Sequence, residues 1–197
     1  MASTINAKTT GVGGIDASGD ASGVLALQTG GTTAVTIDAS QNVVLAKGLT
    51  VGATAAPAFS AYQSTLQSVA NGTWTKVQFQ TKEFDTNNNF DATTNFRFTP
   101  TISGYYQVSG SVQTQSSVNT AVLRCSIYKN GSSFKNGVQV QETTSTKLTS
   151  SVVSALIYFN GSTDYVELYV FQDNGLAANT QNTADSTYFQ AFLARSA

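Results

Sequence analysis

Four of the five Asn-Gly pairs, those at Asn71, Asn130, Asn160 and Asn174, restrict what this chain can become more than any other feature. Asn-Gly is the preferred two-residue hairpin turn, because both residues tolerate positive φ. Between the pairs run segments in which apolar and polar residues alternate, and no segment has a helical period. Strands are predicted at 58–63, 74–81, 96–99, 105–115, 120–128, 138–143, 148–159, 165–172 and 188–195, the short spacing of a sandwich or barrel. Composition agrees. Hydrophobic residues make up 41% and aromatics 10% of the 197 residues, enough for a core, whereas charged residues are only 11%. An ordinary domain has about 25%, so Ser, Thr, Asn and Gln must build the polar surface. Asn71, Asn130 and Asn160 also match the glycan acceptor pattern Asn-x-Ser/Thr, but the turn accounts for the pair without it.

The first 56 residues differ. Residues 1–22 are small, polar and aperiodic, and read as an attachment arm ordered by a partner or by copies of the chain. From 23 to 56 come short apolar pairs: Leu25/Leu27, Val35/Ile37, Val43/Leu45 and Leu49/Val51. Each is a strand stub too short to bury its own apolar face. Several copies around one axis solve this, so 23–56 is expected to be an intertwined β-rich stalk. Glycine does not recur at every third position, which excludes collagen. Residues 57–197 form the third region, a knob.

Ten basic and eleven acidic residues leave a formal charge of −1. That balance gives no basic stripe for phosphates, so nucleic acid is not an expected partner. No run approaches the ~18 apolar residues of a membrane span. The amino terminus has no apolar core of signal-peptide length, so a chain that begins at its natural start is expected to be made and assembled inside a cell without Sec export. The chain has no histidine and one cysteine. Histidine is the commonest general base and metal ligand, and its absence removes the Ser-His-Asp arrangement and any activating partner for a thiolate. Cys125 alternates with Leu123 and Ile127 and is expected as a buried thiol. Glu83, Asp85, Asp91, Glu142, Asp164, Glu167 and Asp173 have no spacing that selects a glycosidase pair. Asp85-Thr-Asn87-Asn-Asn89 opens like a calcium loop, but Phe90 and Phe96 stand where its glycine and bidentate glutamate belong, so an Asx-rich turn is expected. No enzyme, metal or cofactor is expected. Trp74 is read as a half-buried strand residue, with stacking on a sugar ring as the alternative.

Read in order, Pro57-Ala58-Phe59-Ser60-Ala61, Phe84-Asp85, Asn88-Asn89-Phe90-Asp91 and Thr94-Asn95-Phe96 resemble segments of the C1q/TNF-like jelly rolls. So do Phe98-Thr99-Pro100, Gly104-Tyr105-Tyr106, Tyr128-Lys129-Asn130-Gly131 and the closing 186–193. Asn95 stands where that family often has glycine, and the last strand lacks its usual glycine. The resemblance covers 57–197 and implies an all-β homotrimeric sandwich whose inner sheet packs around a threefold axis. Alternation then puts Tyr106, Val108, Leu156, Phe189 and Leu193 with Cys125 in the sandwich core, and Tyr188, Phe192, Val153, Ile157, Gln107 and Ser109 at the subunit interface. A slip of one residue exchanges these two sets on a strand.

Residues 21–51 resemble stalk segments of bacteriophage tail and virion fibres. Together the resemblances imply a homotrimeric virion protein exposed on the particle surface. Its arm would hold another virion protein, and its knob would meet a host glycan or protein receptor. Candidate contacts are Asn88, Asn89, Ser116, Asn119, Ser133, Asn174 and Asn179, in segments rich in adaptable hydrogen-bonding side chains. A capsid, neck or head decoration without a receptor is the alternative. A glycan depolymerase has no sequence support.

Overall fold

The structure, a computed structural model, describes residues 3–7, 15–18, 21–46, 56–115, 121–141 and 148–197. The chain divides into two compact units, Met1–Ala53 and Thr54–Ala197.

In the first unit, Ser3–Ala7 (β1), Ile15–Ser18 (β2), Leu25–Thr29 (β3), Thr32–Ile37 (β4) and Val43–Leu45 (β5) form one sheet of order β2-β1-β3-β4-β5. The β1–β3 pair is parallel and the others are antiparallel. Gly30 and Gly31, with φ of 57° and 78°, close the β3–β4 hairpin. At the next turn the Asp38 carboxylate accepts the N–H groups of Ser40 and Asn42, each at 2.9 Å. Thus part of the segment read as an unpatterned arm is strand. The stubs at Leu25/Leu27, Val35/Ile37 and Val43/Leu45 pair within one chain, yet Val43 and Val44 remain 62% and 56% exposed; Leu49/Val51 falls outside the described residues.

In the second unit the strands are Ala58–Tyr62 (β6), Ser68–Val69 (β7), Thr75–Lys76 (β8), Thr81–Asp85 (β9), Phe90–Asp91 (β10) and Arg97–Phe98 (β11). Then come Gly104–Gln115 (β12), Val122–Lys129 (β13), Ser132–Asn136 (β14), Val140–Gln141 (β15), Leu148–Phe159 (β16), Val166–Gln172 (β17), Ala178–Asn179 (β18) and Tyr188–Ser196 (β19). One sheet has the order β16-β12-β19-β6-β9. The opposing sheet has the order β10-β11-β17-β13-β14, with β8 and β15 added at its sides, and β7 pairs with β18. No described residue is helical. Two sequence expectations shift. The run 74–81 is not one strand but β8 and the start of β9, and 132–136, expected as a loop, is the edge strand β14. Asn130 and Gly131, at φ 51° and 78°, form the two-residue turn that joins β13 to β14. The Asn160 side chain is held inside its own turn, and the Asn130 side chain reaches across to the same 160–165 segment. Asn130 Oδ1 accepts the N–H of Tyr165 at 2.9 Å, and Asn160 Oδ1 accepts those of Ser162, Thr163 and Asp164 at 3.0 Å.

The core between the sheets is aromatic at one end and aliphatic along the rest. Phe59 stacks on Phe90 and on Phe98, with both ring separations 4.6 Å, and meets Phe189 edge-on at 5.3 Å. Phe98 meets Tyr106 at 5.8 Å, and Tyr106 meets Phe159 at 5.3 Å. Such contacts add about 0.5–1.5 kcal/mol each beyond area burial. The Tyr106 hydroxyl donates to the Ile102 carbonyl at 2.8 Å, and burial pushes its pKa up to about 12. Val108, Phe189 and Cys125 lie in the same core, and Leu193 packs against it half-buried.

On β16 the sequence assignment reverses. Val153 and Ile157, expected at the subunit interface, are buried, and Leu156, expected in the core, is 57% exposed. The register explains it: Val108 pairs with Ala155 and Gly110 with Val153, so odd positions of β16 share the inward side of the even positions of β12. Both phases of Leu148–Phe159 are apolar, so alternation alone could not choose between them.

The sheets are joined at one margin by Ser151. Its hydroxyl accepts the Cys125 N–H at 2.9 Å and donates to the Val138 carbonyl at 2.6 Å. Burial pushes the Cys125 thiol up to about 11. Gly137 runs through this margin, and a Cβ there would stand 2.3 Å from the Val152 oxygen and 2.9 Å from Cys125 Sγ. Gly137→Ala is therefore expected to cost about 1–3 kcal/mol through overpacking. Urea unfolding checks this; an unchanged midpoint would mean the segment moves freely.

Candidate interaction surfaces

Among the described residues, no three His, Cys, Asp or Glu side chains cluster as metal ligands. Two surfaces stand out instead. One is a sheet face and the other a cleft.

The sheet face is the outward side of β16, β12 and β19. Its outward positions on β16 are Leu148, Ser150, Val152, Ser154, Leu156 and Tyr158, and none carries charge. Neither do the outward positions of β12 from Tyr105 to Gln115, nor Tyr188, Gln190 and Phe192 on β19; past the bulge, exposed Arg195 pairs with Tyr105 and puts one charge at the margin of the face. Val152 is 48%, Leu156 57% and Phe192 53% exposed. Tyr105 and Tyr158 lie side by side, rings 5.5 Å apart. The polar members are tied to one another: Gln107 Nε2 donates to Ser154 Oγ at 2.7 Å, Gln113 Nε2 to Ser150 Oγ at 2.9 Å, and Gln190 Nε2 to Ser109 Oγ at 3.2 Å. Those bonds leave the face apolar with its amides already partnered. Tyr188, Phe192, Gln107 and Ser109, assigned to this side from sequence, do point outward. Leu156, Val152, Leu148 and Tyr158 were missed because the phase of β16 was misread.

The loop candidates do not form one tip. β12 runs from Gly104, opposite Phe159, to Gln115, opposite Leu148. Asn88 and Asn89 lie toward the Gly104 end. Asn174 and Asn179 line a different cleft with Gln115, at the other end. Asn174 is 2% exposed and is part of the turn packing, whereas Asn179 is exposed. Ser133 is exposed on β14, its hydroxyl 3.2 Å from that of Ser126. Ser116 and Asn119 fall outside the described residues. Trp74 is half-buried against Phe171, rings 5.5 Å apart, as expected, but it stands just before β8 and is not itself a strand residue.

The cleft at the first end is open, with a volume of about 570 Å³, and Asn, Thr and charged side chains supply most of its wall. Two aspartates shape it. Asp91 closes an Asx turn: its carboxylate accepts the N–H groups of Thr93, Thr94 and Asn95 at 2.9, 3.0 and 3.1 Å, and the Asn95 amide at 2.7 Å. Those donors, the Thr94 and Thr93 N–H groups first, hold its pKa well below the usual carboxylate range. Asp85 accepts the N–H groups of Asn89 and Phe90, both at 2.9 Å, and the Lys82 ammonium at 3.0 Å. With these oxygens occupied, the run 85–89 is a turn, and Asp85, its single carboxylate, is committed to Asn89, Phe90 and Lys82. Asn88 and Phe96 have φ of 53° and 50°. A left-handed phenylalanine is costly, and it occurs next to where the family resemblance puts glycine. Asn89 is buried and accepts from the Thr101 N–H at 3.3 Å, bracing the wall. The residue that sequence reasoning missed is Arg97, which projects from β11 into this wall with its guanidinium carbon 4.3 Å above the Tyr165 ring. Its only sequence signal was an isolated cation between two aromatics.

No family model matches the sequence, and no curated protein sequence does. Solved structures do match. The globular domain of zebrafish complement 1qA protein has a TM-score of 0.52 at 18% identity, over 72% of this chain and 99% of that one. Eiger TNF from S. frugiperda has 0.56 at 9%, over 73% and 96%. Murine APRIL at pH 5.0 has 0.52 at 11%, over 70% and 98%. This all-β chain therefore carries a jelly-roll sandwich of the C1q/TNF-like fold.

Proposed function

We propose that the chain is a self-associating binding module of a virion, three copies meeting through the outward face of β16, β12 and β19. Residues 1–22 would anchor it to another virion protein, and the loops of the second unit would contact the host surface. The observation that carries the association is the apolar face, whose one charge, Arg195, stands at its margin. Charge depletion with aromatic and aliphatic side chains marks the centre of protein–protein interfaces. Burying the exposed halves of Leu148, Val152, Leu156, Tyr158, Tyr105 and Phe192 supplies about 5–9 kcal/mol per chain. That is of the order of the ~4–15 kcal/mol entropic cost of association. The threefold stoichiometry is what the family resemblance implies, and the virion setting rests on the likeness of residues 21–51 to phage fibre stalks. Three copies would multiply weak single-site contacts.

Sedimentation at micromolar concentration is expected to give three times the chain mass of 20.6 kDa, and Leu156→Asp is expected to give the single-chain mass with the fold retained. A single-chain mass for the unaltered protein would overturn the assembly. Excess purified chain is expected to block adsorption of the parent particle; no competition at saturation would favour a decoration without a receptor.

The contact loop at 91–95 is expected to depend on pH. The Asp91 pKa is lower in the folded chain than its ordinary 3.8, so the folded state binds fewer protons there. Its stabilisation is full above that value and is lost as pH falls toward the depressed one. The protection of the Thr93 and Thr94 amides, taken relative to their intrinsic exchange rate at each pH, should therefore fall below the ordinary value and stay level above it, and in Asp91→Ala should be low throughout. Equal protection in both proteins would remove this role.

A further inference from the structure

We infer that the cleft beside Arg97 binds an acidic saccharide, the guanidinium taking a carboxylate or phosphate while the cleft wall takes hydroxyls. This deepens the host-contact reading above and rests on it.

The charges decide the sign. Of the two cations on the wall, Lys82 is already spent: its ammonium bonds Asp85 at 3.0 Å, the Asn88 amide oxygen at 2.9 Å and the Phe90 carbonyl at 3.4 Å. Arg97 has no ion pair or hydrogen bond to any described residue, and its guanidinium lies over the Tyr165 ring. Its nearest candidate counter-ion is Asp91, directly across the β10–β11 pair. That carboxylate is turned into its own loop, where four N–H groups and the Thr93 hydroxyl surround it. A planar guanidinium fixed on an aromatic face, with its five N–H donors unclaimed, suits bidentate binding of a carboxylate or phosphate.

The wall decides the rest of the ligand. Asn88, Asn95, Thr93 and Thr99 line the cleft. The Asn88 Nδ2, Asn95 Oδ1 and Thr99 hydroxyl make no hydrogen bond to a described residue, so both donors and acceptors are on offer. A ring bearing several hydroxyls needs both. About 570 Å³ accommodates one or two sugar rings and falls in the usual ligand-site range of about 300–1,000 Å³. One unpaired cation is too few for a nucleic acid backbone. The cleft is also preformed: the saturated Asp85 and Asp91 turns and the Asn89 brace hold its wall, so little ordering is left for the ligand.

The test titrates the full chain with 3′-sialyllactose, glucose 6-phosphate, lactose and inorganic phosphate, following amide and Arg side-chain resonances. Shifts at Arg97, Asn88 and Thr99 are expected with an acidic sugar, which should bind at least about tenfold tighter than lactose, as one charge-assisted bidentate contact requires. Whichever acidic sugar binds identifies carboxylate or phosphate. Arg97→Gln should abolish the preference for acid, Arg97→Lys should keep only part of it, and Thr99→Val should weaken binding while the fold's own resonances stay in place. Equal binding of lactose and both acidic sugars, or an unchanged preference in Arg97→Gln, overturns the inference. Inorganic phosphate binding as tightly as glucose 6-phosphate overturns the saccharide part. If no sugar shifts these resonances while the chain still blocks adsorption, this inference fails and host contact stands. Sugar binding without competition for adsorption gives the reverse.

Discussion

The register that pairs β12 with β16 on one side and β19 on the other determines nearly everything else in the second unit. β12 lies between β16 and β19 in its sheet, and Tyr106, Val108 and Val112 point from it into the sandwich. Given that phase, pairing forces Val153, Ile157, Phe189 and Ala191 inward and Val152, Leu156 and Phe192 outward. The inward set meets the aromatic cluster built on Phe59. The outward set packs against no other described element of the second unit. A charge-poor apolar face across β16, β12 and β19 is half of a structure, and the self-association proposed above follows from that constraint.

How much of this was legible depended on whether a strand's two faces differ. On β12 they do, since Gln107, Ser109 and Gln113 alternate with Tyr106, Val108 and Val112, and the reading was unambiguous. On β16 the run Val152-Val153 and Leu156-Ile157-Tyr158 is apolar on both sides, so only tertiary pairing could select the phase. That same ambiguity was the missed clue. A strand apolar on both faces at the margin of a sheet signals that both faces will be covered. The Asn-Gly turns were legible because their backbone chemistry is local. β10, β7 and β18 were not, being two-residue pairs defined by what lies across from them.

The cleft follows a different logic. Its shape comes from short-range side-chain-to-backbone bonds at Asp85 and Asp91, which sequence could suggest as Asx turns. Its charge comes from a long-range fact, that Arg97 stacks on Tyr165 while the carboxylate opposite it is occupied elsewhere. Nothing local in the sequence distinguishes a spent lysine from an unspent arginine. The two surfaces also ask different things of the fold. The face needs a rigid register, and the cleft needs loops fixed at positions such as Asn88 and Phe96, whose backbone is left-handed.

Hydroxyl-radical footprinting of the intact protein in solution tests the central claim most directly, because the chain supplies its own internal standards. Leu176 is 66% and Phe134 43% exposed, and both lie off the outward face of the β16–β12–β19 sheet. If that face is buried between copies, Leu156 and Phe192 are modified far more slowly than Leu176 and Phe134, although all four are exposed in a single chain. Modification of Leu156 and Phe192 at the rates of those standards would contradict the account.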